Sequence, residues 1–162
     1  MHLTKVDRVV KTYGFVEQLE RGAEGEKILD EYFSQWYIID EVSMDMQRKG
    51  IDRIFDNGDN TFTIEYKTDE KTQTTGNVFI ETVSNAQKGK WGWGWTCKAD
   101  MLIYFALPDE IYMVPPSEVA RNIPAWEDAY GIRSVKNRGW TSKGIPLPTE
   151  EFAKVAKVRR LS

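Results

Sequence analysis

The chain has 162 residues, 41% hydrophobic and 29% charged, and its single cysteine, Cys97, excludes an internal disulfide and suits a reducing compartment. That length fits one domain over residues 1–162 with a core needing no staples; no apolar run approaches the ~18 residues of a membrane span, and the opening MHLTKVDRVVKTYGF lacks the apolar stretch of a signal peptide, so a cytoplasmic protein without a membrane partner is expected. The net charge of −3 is divided unevenly: from Arg133 onward there are eight basic residues against Glu150 and Glu151, a balance of +6, leaving −9 for the rest. Such a tail is either a surface for phosphates or the solvated face of a basic helix.

In chain order, residues 15–34 read as a helix, with Ile28, Leu29, Tyr32, Phe33 and Trp36 at helical spacing on one apolar face. Gly22 and Gly25 weaken this helix but allow close backbone approach. Two strand-like runs follow, Ile51–Asp56 and Thr61–Lys67, joined by DNGDN, the strongest hairpin signal in the chain. Asn77–Val83 is a third strand, followed by the glycine- and tryptophan-rich loop KGKWGWGWT. Met101–Ala106 is apolar almost throughout, as in a buried strand, and Pro108–Glu110 turns the chain into Ile111–Val114. Ser117 is positioned to cap a helix over 118–129, and Thr149 a last helix reaching 158. Helix, sheet, then helices describe an α/β architecture with a central mixed sheet of about four or five strands flanked by helices.

The hairpin carries the chemistry. If paired residues have numbers summing to 117, a loop of Asn57–Asn60 closes the turn and Asp52 faces Glu65. Directly opposed side chains lie roughly 4.5–5.5 Å apart at Cβ. Two carboxylates so close repel unless something positive lies between them, and a divalent cation with oxygen ligands satisfies both. Lys67, two residues beyond Glu65, shares its sheet face and brings an ammonium to the ion. Carboxylates, metal and ammonium together are what phosphodiester hydrolysis requires: an activated water and stabilised phosphate charge. A surface hairpin with a Glu–Lys pair on its wet face is the structural alternative.

An acid-bearing helix, then G-I-D, a hairpin and I-E-Y-K resembles the PD-(D/E)XK, or restriction-endonuclease-like, nuclease superfamily. The resemblance spans about Gly22 to Phe105, with Ile51 where a proline usually precedes the aspartate. TGNVFIE over 75–81, a later GW and KADMLIYF are similar to small phage-type members. The resemblance implies a restriction-endonuclease-like core, catalytic Asp52, Glu65 and Lys67, and Mg²⁺, replaceable by Mn²⁺, held by Asp52 and Glu65. It also implies a helix glutamate that orients water or adds a ligand; Glu26 matches better than Glu24. Glu81, at the end of the third strand, is a further candidate ligand or an orienter of Lys67; the structural alternative for each acid is a solvent-facing charge.

Lys88, Lys90, Trp93 and Lys98 belong to a stretch that interleaves cations with aromatics and glycines, suited to following a backbone and stacking on bases. Its alternative role is structural closure over the sheet; within it Trp95 is expected to pack inward. Lys143, after Trp140-Thr141-Ser142, is another expected phosphate contact, Asp100 is expected to cap a short turn, and His2 is given no role. The leading expectation is an endonuclease on DNA, duplex or branched, either structure-selective like Holliday-junction resolvases or restriction-like, with a homodimer supplying two sites. The alternatives are an inactive nucleic-acid-binding or assembly protein of the same fold and a nuclease acting on RNA.

Overall fold

A computed structural model describes the backbone of residues 14–161 and the side chains from residue 21 to 161. The opening segment read for a leader, and His2 within it, lie outside the described residues. Helix α1 covers Gly14–Phe33. Leu29 and Phe33, one turn apart, are its buried contacts, whereas Ile28 and Trp36 are exposed, so the apolar face is narrower than the spacing suggests.

The chain then forms β1 (Ile38–Glu41), a short helix α2 (Met44–Arg48), β2 (Arg53–Asp56) and β3 (Thr61–Asp69). Strands β2 and β3 are antiparallel with Arg53 opposite Ile64 and Asp56 opposite Thr61, the expected register. The turn between them closes on its own side chains. Asp56 Oδ1 accepts from Gly58 N at 2.8 Å, and Asn57 Oδ1 accepts from Asp59 N and Asn60 N.

Next come α3 (Thr72–Thr75), β4 (Asn77–Asn85), β5 (Lys90–Trp91), α4 (Trp93–Thr96), β6 (Met101–Ala106) and β7 (Glu110–Val114). The remainder is α5 (Pro116–Tyr130), β8 (Arg133–Lys136), β9 (Thr141–Pro148), α6 (Thr149–Phe152) and β10 (Lys157–Arg160). Two sheets result: a mixed six-stranded sheet in the order β1-β2-β3-β6-β7-β10, and a four-stranded antiparallel one in the order β5-β4-β9-β8. The parallel pair is β3 with β6.

The α/β class holds, but the first sheet has more strands than expected and the second sheet was not anticipated. Three of the unexpected strands, β1, β8 and β10, are sheet edges, and they are mostly exposed. A strand solvated along one side need not advertise itself as an apolar run. Strand β9 contains Gly144, Pro146 and Pro148, a composition that argues against a strand. The glycine is used for closeness, since a Cβ there would lie 2.5 Å from the Phe79 ring.

Two helix boundaries also differ from expectation. Helix α5 begins at Pro116 after Pro115, with no side-chain cap, so Ser117 lies inside it. The helix predicted from Thr149 to 158 ends at Phe152, and the following chain turns to become β10 on the edge of β7. The basic residues of the tail therefore lie on strands and turns rather than on a helix, with Arg160 held by Glu110 at 2.7 Å and Lys154 by Glu151 at 2.7 Å.

The six-stranded sheet is covered on both faces. On one, Ile64, Tyr66, Ile103, Phe105 and Ile111 meet Leu29 and Phe33 of α1. On the other, Leu102, Tyr104, Tyr112 and Val114 meet Val78, Ile80, Ile145 and Leu147 of the second sheet, closed by Val119, Ile123 and Trp126 of α5 and by Phe152.

Helix α1 seats on β3 through Gly25, where a Cβ would fall 2.6 Å from Thr68 Oγ1 and 2.8 Å from its Cγ2; Gly22 meets nothing within 4 Å. Thr68 is β-branched and cannot easily turn aside. Gly25→Ala should destabilise by about 1–3 kcal/mol, while Gly22→Ala should stabilise by roughly 0.5–1 kcal/mol through helix propensity. Urea unfolding of both variants, and of Gly25→Ala combined with Thr68→Ala, checks this. The double variant should recover most of the loss; additive losses would contradict the contact.

Candidate active site

Strand β3 alternates its side chains between the two cores. Ile64 and Tyr66 go to the α1 side, and Glu65 and Lys67 go to the other. Asp52 lies just before β2, its N–H donating to Ile64 O at 2.7 Å and its Oδ2 accepting from Tyr66 N at 2.8 Å. This double attachment continues the hairpin beyond the strand and holds the Asp52 carboxylate against Glu65. Gly50, at φ +80°, turns the chain into this position, and a Cβ there would lie 3.4 Å from Glu65 Oε2. The glycine of G-I-D thus serves the turn, whose positive φ a side chain would strain, while the space beside Glu65 would admit a Cβ at ordinary contact distance.

Glu65 is 6% exposed. Burial pushes its carboxyl up to about 8, and the adjoining Asp52, in hydrogen-bonding contact, pushes the same way; Lys67 opposes both. Lys67 Nζ lies 3.4 Å from Glu65 Oε2 and 5.9 Å from the centre of the Trp93 ring. The expected trio is therefore brought together, with Glu65 as its least solvated member.

Glu81, on β4, is half-buried behind Lys67. Burial raises its carboxyl, while Lys67 and the Trp93 N–H, donating to Oε1 at 3.3 Å, lower it. Gly92 and Gly94 make this approach possible, since a Cβ at either would meet the Glu81 carbonyl at 2.5 or 2.7 Å. The tryptophan loop is thereby fastened over β4.

Glu26 is placed differently. It reaches Arg53 Nη2 at 3.0 Å, and Arg53, 7% exposed, also binds Asp30 at 3.1 Å and stacks on Tyr66. Tyr66 donates its hydroxyl to Asp30 at 2.8 Å. Burial raises the Glu26 carboxyl, Asp52 adds to the rise, and Arg53 counters it. Among the described residues, no three or more Asp, Glu, His or Cys side chains are grouped so as to surround a metal ion. Sequence spacing did not reveal the Arg53–Asp30–Tyr66 network, whose members come from a helix and two strands.

Among the expected binding residues, Lys88 and Lys90 are exposed around the β4–β5 turn, Lys98 is exposed after α4, and Lys143 is half-buried on β9. Trp93 is partly buried against the core. Trp95, expected inside, is 42% exposed and meets exposed Trp91 edge-on at 6.5 Å. The reason is local: 93–96 is a helical turn, so the alternation of an extended chain does not apply. Asp100 caps no turn of its own but binds Thr63, accepting from its N–H at 2.9 Å. Cys97 is half-buried, its thiol pushed up to about 11, chiefly by burial.

Comparison with family models, curated proteins and solved structures finds no match. No helix among the described residues is long and apolar enough to cross a membrane.

The Glu65 shift carries a sign. A carboxyl near 4.5 when unfolded and about 8 when folded holds more protons in the folded state between those values. Its contribution to stability is complete below the unfolded value and is lost as pH rises through the folded one. Metal-free protein should lose stability from pH 5 to pH 8 by up to roughly 1.4 kcal/mol per pH unit. Glu65→Gln, which cannot ionise, should flatten that slope in urea titrations with EDTA; equal slopes would contradict the assignment.

Proposed function

We propose that this chain is a Mg²⁺-dependent deoxyribonuclease with a restriction-endonuclease-like core. The observation that carries the reading is Glu65, buried on β3, touching Asp52 and lying 3.4 Å from Lys67. The order of an acid-bearing α1, Asp52 just before β2 and Glu65 with Lys67 on the adjacent β3 supports the same reading.

Two carboxyl groups held together at the cost of keeping a proton suit a cation, which replaces the proton and satisfies both. When bound, Mg²⁺, or Mn²⁺ in its place, would acidify a water and polarise a phosphoryl oxygen. Asp52 and Glu65 are the residues to hold it. Lys67 is placed to orient the attacking water and to meet negative charge on the phosphate. Water adds to phosphorus, the bond to one bridging oxygen breaks, and a phosphomonoester and a hydroxyl result. Trp93 and Glu81 are positioning residues for Lys67.

The second reading, an inactive nucleic-acid-binding protein of this fold, draws on Glu26. Its carboxylate is engaged by Arg53 and would have to leave it to act as a ligand.

Asp52→Asn and Glu65→Gln should each sharply weaken Mg²⁺ binding by calorimetry and slow cleavage on the order of 10²-fold or more. Lys67→Ala should abolish comparable activity while leaving metal affinity equal or higher, because it removes a positive neighbour. Gel assays on linear duplex, branched DNA and RNA provide the cleavage readout. Wild-type protein that binds no divalent ion, or Glu65→Gln cutting at the wild-type rate, would remove the mechanism and favour the inactive reading.

Lys88 and Lys90, exposed beside the tryptophans, are proposed as phosphate contacts. Replacing both by alanine should weaken DNA binding and reduce its salt slope by about 0.7–0.9 per lost contact. An unchanged slope would assign that turn a structural role.

A further inference from the structure

Two clefts meet at Glu81 and Trp93, with Lys67 in the wall of one and Glu65 in the wall of the other. One, of about 640 Å³, has Lys67, Lys71, Arg133 and Lys136 in its wall and lies between the end of β3 and strand β8. The other, of about 450 Å³, is walled by Lys49 and Lys98 together with Glu65 and Trp91. Glu81 and Trp93 line both, so the candidate site lies where the two clefts join.

The cations of the two arms come from separate parts of the chain. Lys49 and Lys98 follow α2 and α4, Lys71 precedes α3, and Arg133 and Lys136 lie on β8. Among the described residues none of these five takes part in an ion pair, in contrast to Arg48, which has Asp45 at 3.7 Å. The acids in the clefts are largely engaged: Asp69 accepts the Tyr104 hydroxyl, Glu81 faces Lys67 and Trp93, and Glu65 faces Lys67. What each arm offers a ligand is therefore positive charge at its rim, with Glu81 at the junction and Glu65 beside it.

Each arm has the volume of a small-ligand pocket, the scale of one or two nucleotides and too small to enclose a duplex. Trp91, 66% exposed, presents a ring in the second arm. A ring beside cations stacks on a base only when that base is out of its own helix.

We propose that the two arms form a track for a single unpaired strand of DNA, which passes Lys71, Arg133 and Lys136 on one side of the junction and Lys49, Lys98 and Trp91 on the other. The scissile phosphodiester lies between them at Glu65 and Lys67. The assignment of the scissile position and the choice of DNA over RNA rest on the nuclease reading; the track for an unpaired strand does not.

The test is fluorescence anisotropy with a labelled oligothymidine, a blunt duplex of the same length and an oligouridine, each in Ca²⁺ and in EDTA. The oligothymidine should bind at least tenfold more tightly than the duplex and more tightly than the oligouridine. Trp91→Ala should weaken single-strand binding roughly fivefold to a hundredfold and leave duplex binding unchanged. Lys49→Ala with Lys98→Ala, and Lys71→Ala with Lys136→Ala, should each lower the salt slope by about 0.7 per lost contact. All of these positions are exposed, and circular dichroism verifies that the variants fold. Equal binding of duplex and single strand, a silent Trp91→Ala, or tighter binding of oligouridine would each overturn the proposal. Retained duplex cutting without single-strand preference would overturn it and leave the nuclease reading standing. Single-strand preference without divalent-dependent cutting would support the track and remove the nuclease reading.

Discussion

Strand β3 lies inside the six-stranded sheet, bonded to β2 on one side and to β6 on the other. It is covered on both faces, so successive side chains enter different environments. Its sequence cannot be apolar throughout, because Glu65, Lys67 and Asp69 alternate with Ile64, Tyr66 and Thr68. An ionised group under cover costs several kcal/mol unless it is paired. The surroundings of β3 answer that constraint: Asp69 receives the Tyr104 hydroxyl, Lys67 has Glu65 and the Trp93 ring, and burial pushes the Glu65 carboxyl up while Lys67 opposes the rise.

The opposite face answers a different need. Arg53 is nearly enclosed and cannot lose its charge, so the carboxylates of Asp30 and Glu26 and the ring of Tyr66 gather around it. The network ties α1 to both strands of the hairpin and holds the backbone from which Asp52 projects, for Arg53 also donates to the Asp52 carbonyl at 2.9 Å. On one face charge is satisfied fully, which makes a rigid support. On the other Lys67 is the single cation beside the buried Glu65 and the adjoining Asp52, which leaves a place where a second cation improves matters. The two arrangements sit back to back across one strand pair, so the strain at Glu65 is borne by a hairpin that has little freedom to relax.

The hairpin and its register were legible because turn chemistry and pairing act locally. DNGDN closes on its own side chains, and once the turn is set every pair back to Arg53 and Ile64 follows, which brings the next residue, Asp52, beside Glu65. Strand β6 was legible because a strand buried on both faces is apolar throughout. The edge strands were not: β10, KVRR, and β8, RSVK, gain their pairing from one neighbour and keep charged side chains in water. The orientation of the tryptophans was not legible because a helical turn over 93–96 sends Trp93 in and puts Trp95 on the exposed side, beside Trp91 of β5. That Asp52, Glu65 and Lys67 come together was legible because they belong to one hairpin, whereas the cleft cations are gathered from distant parts of the chain.

That last point bears on the charge of the chain. A net charge of −3 argues against an anionic ligand only if charge is spread evenly. Many of its acids are committed: Asp30 and Glu26 to Arg53, Asp109 and Glu110 to Arg160, Glu70 to Arg21 and Asp69 to Tyr104. Fields are screened over about 8 Å at physiological salt, so a phosphate in either cleft senses the side chains around it rather than the molecule's total. There the unpaired Lys49, Lys71, Lys98, Arg133 and Lys136 dominate the rims, and the acids withdraw to the junction or bind partners of their own. An acidic protein is thus able to present two positive approaches to a negative centre. A polyanion is drawn along the approaches and repelled at the centre until a divalent ion occupies it, so under the proposed function strand binding and metal binding become cooperative by charge alone.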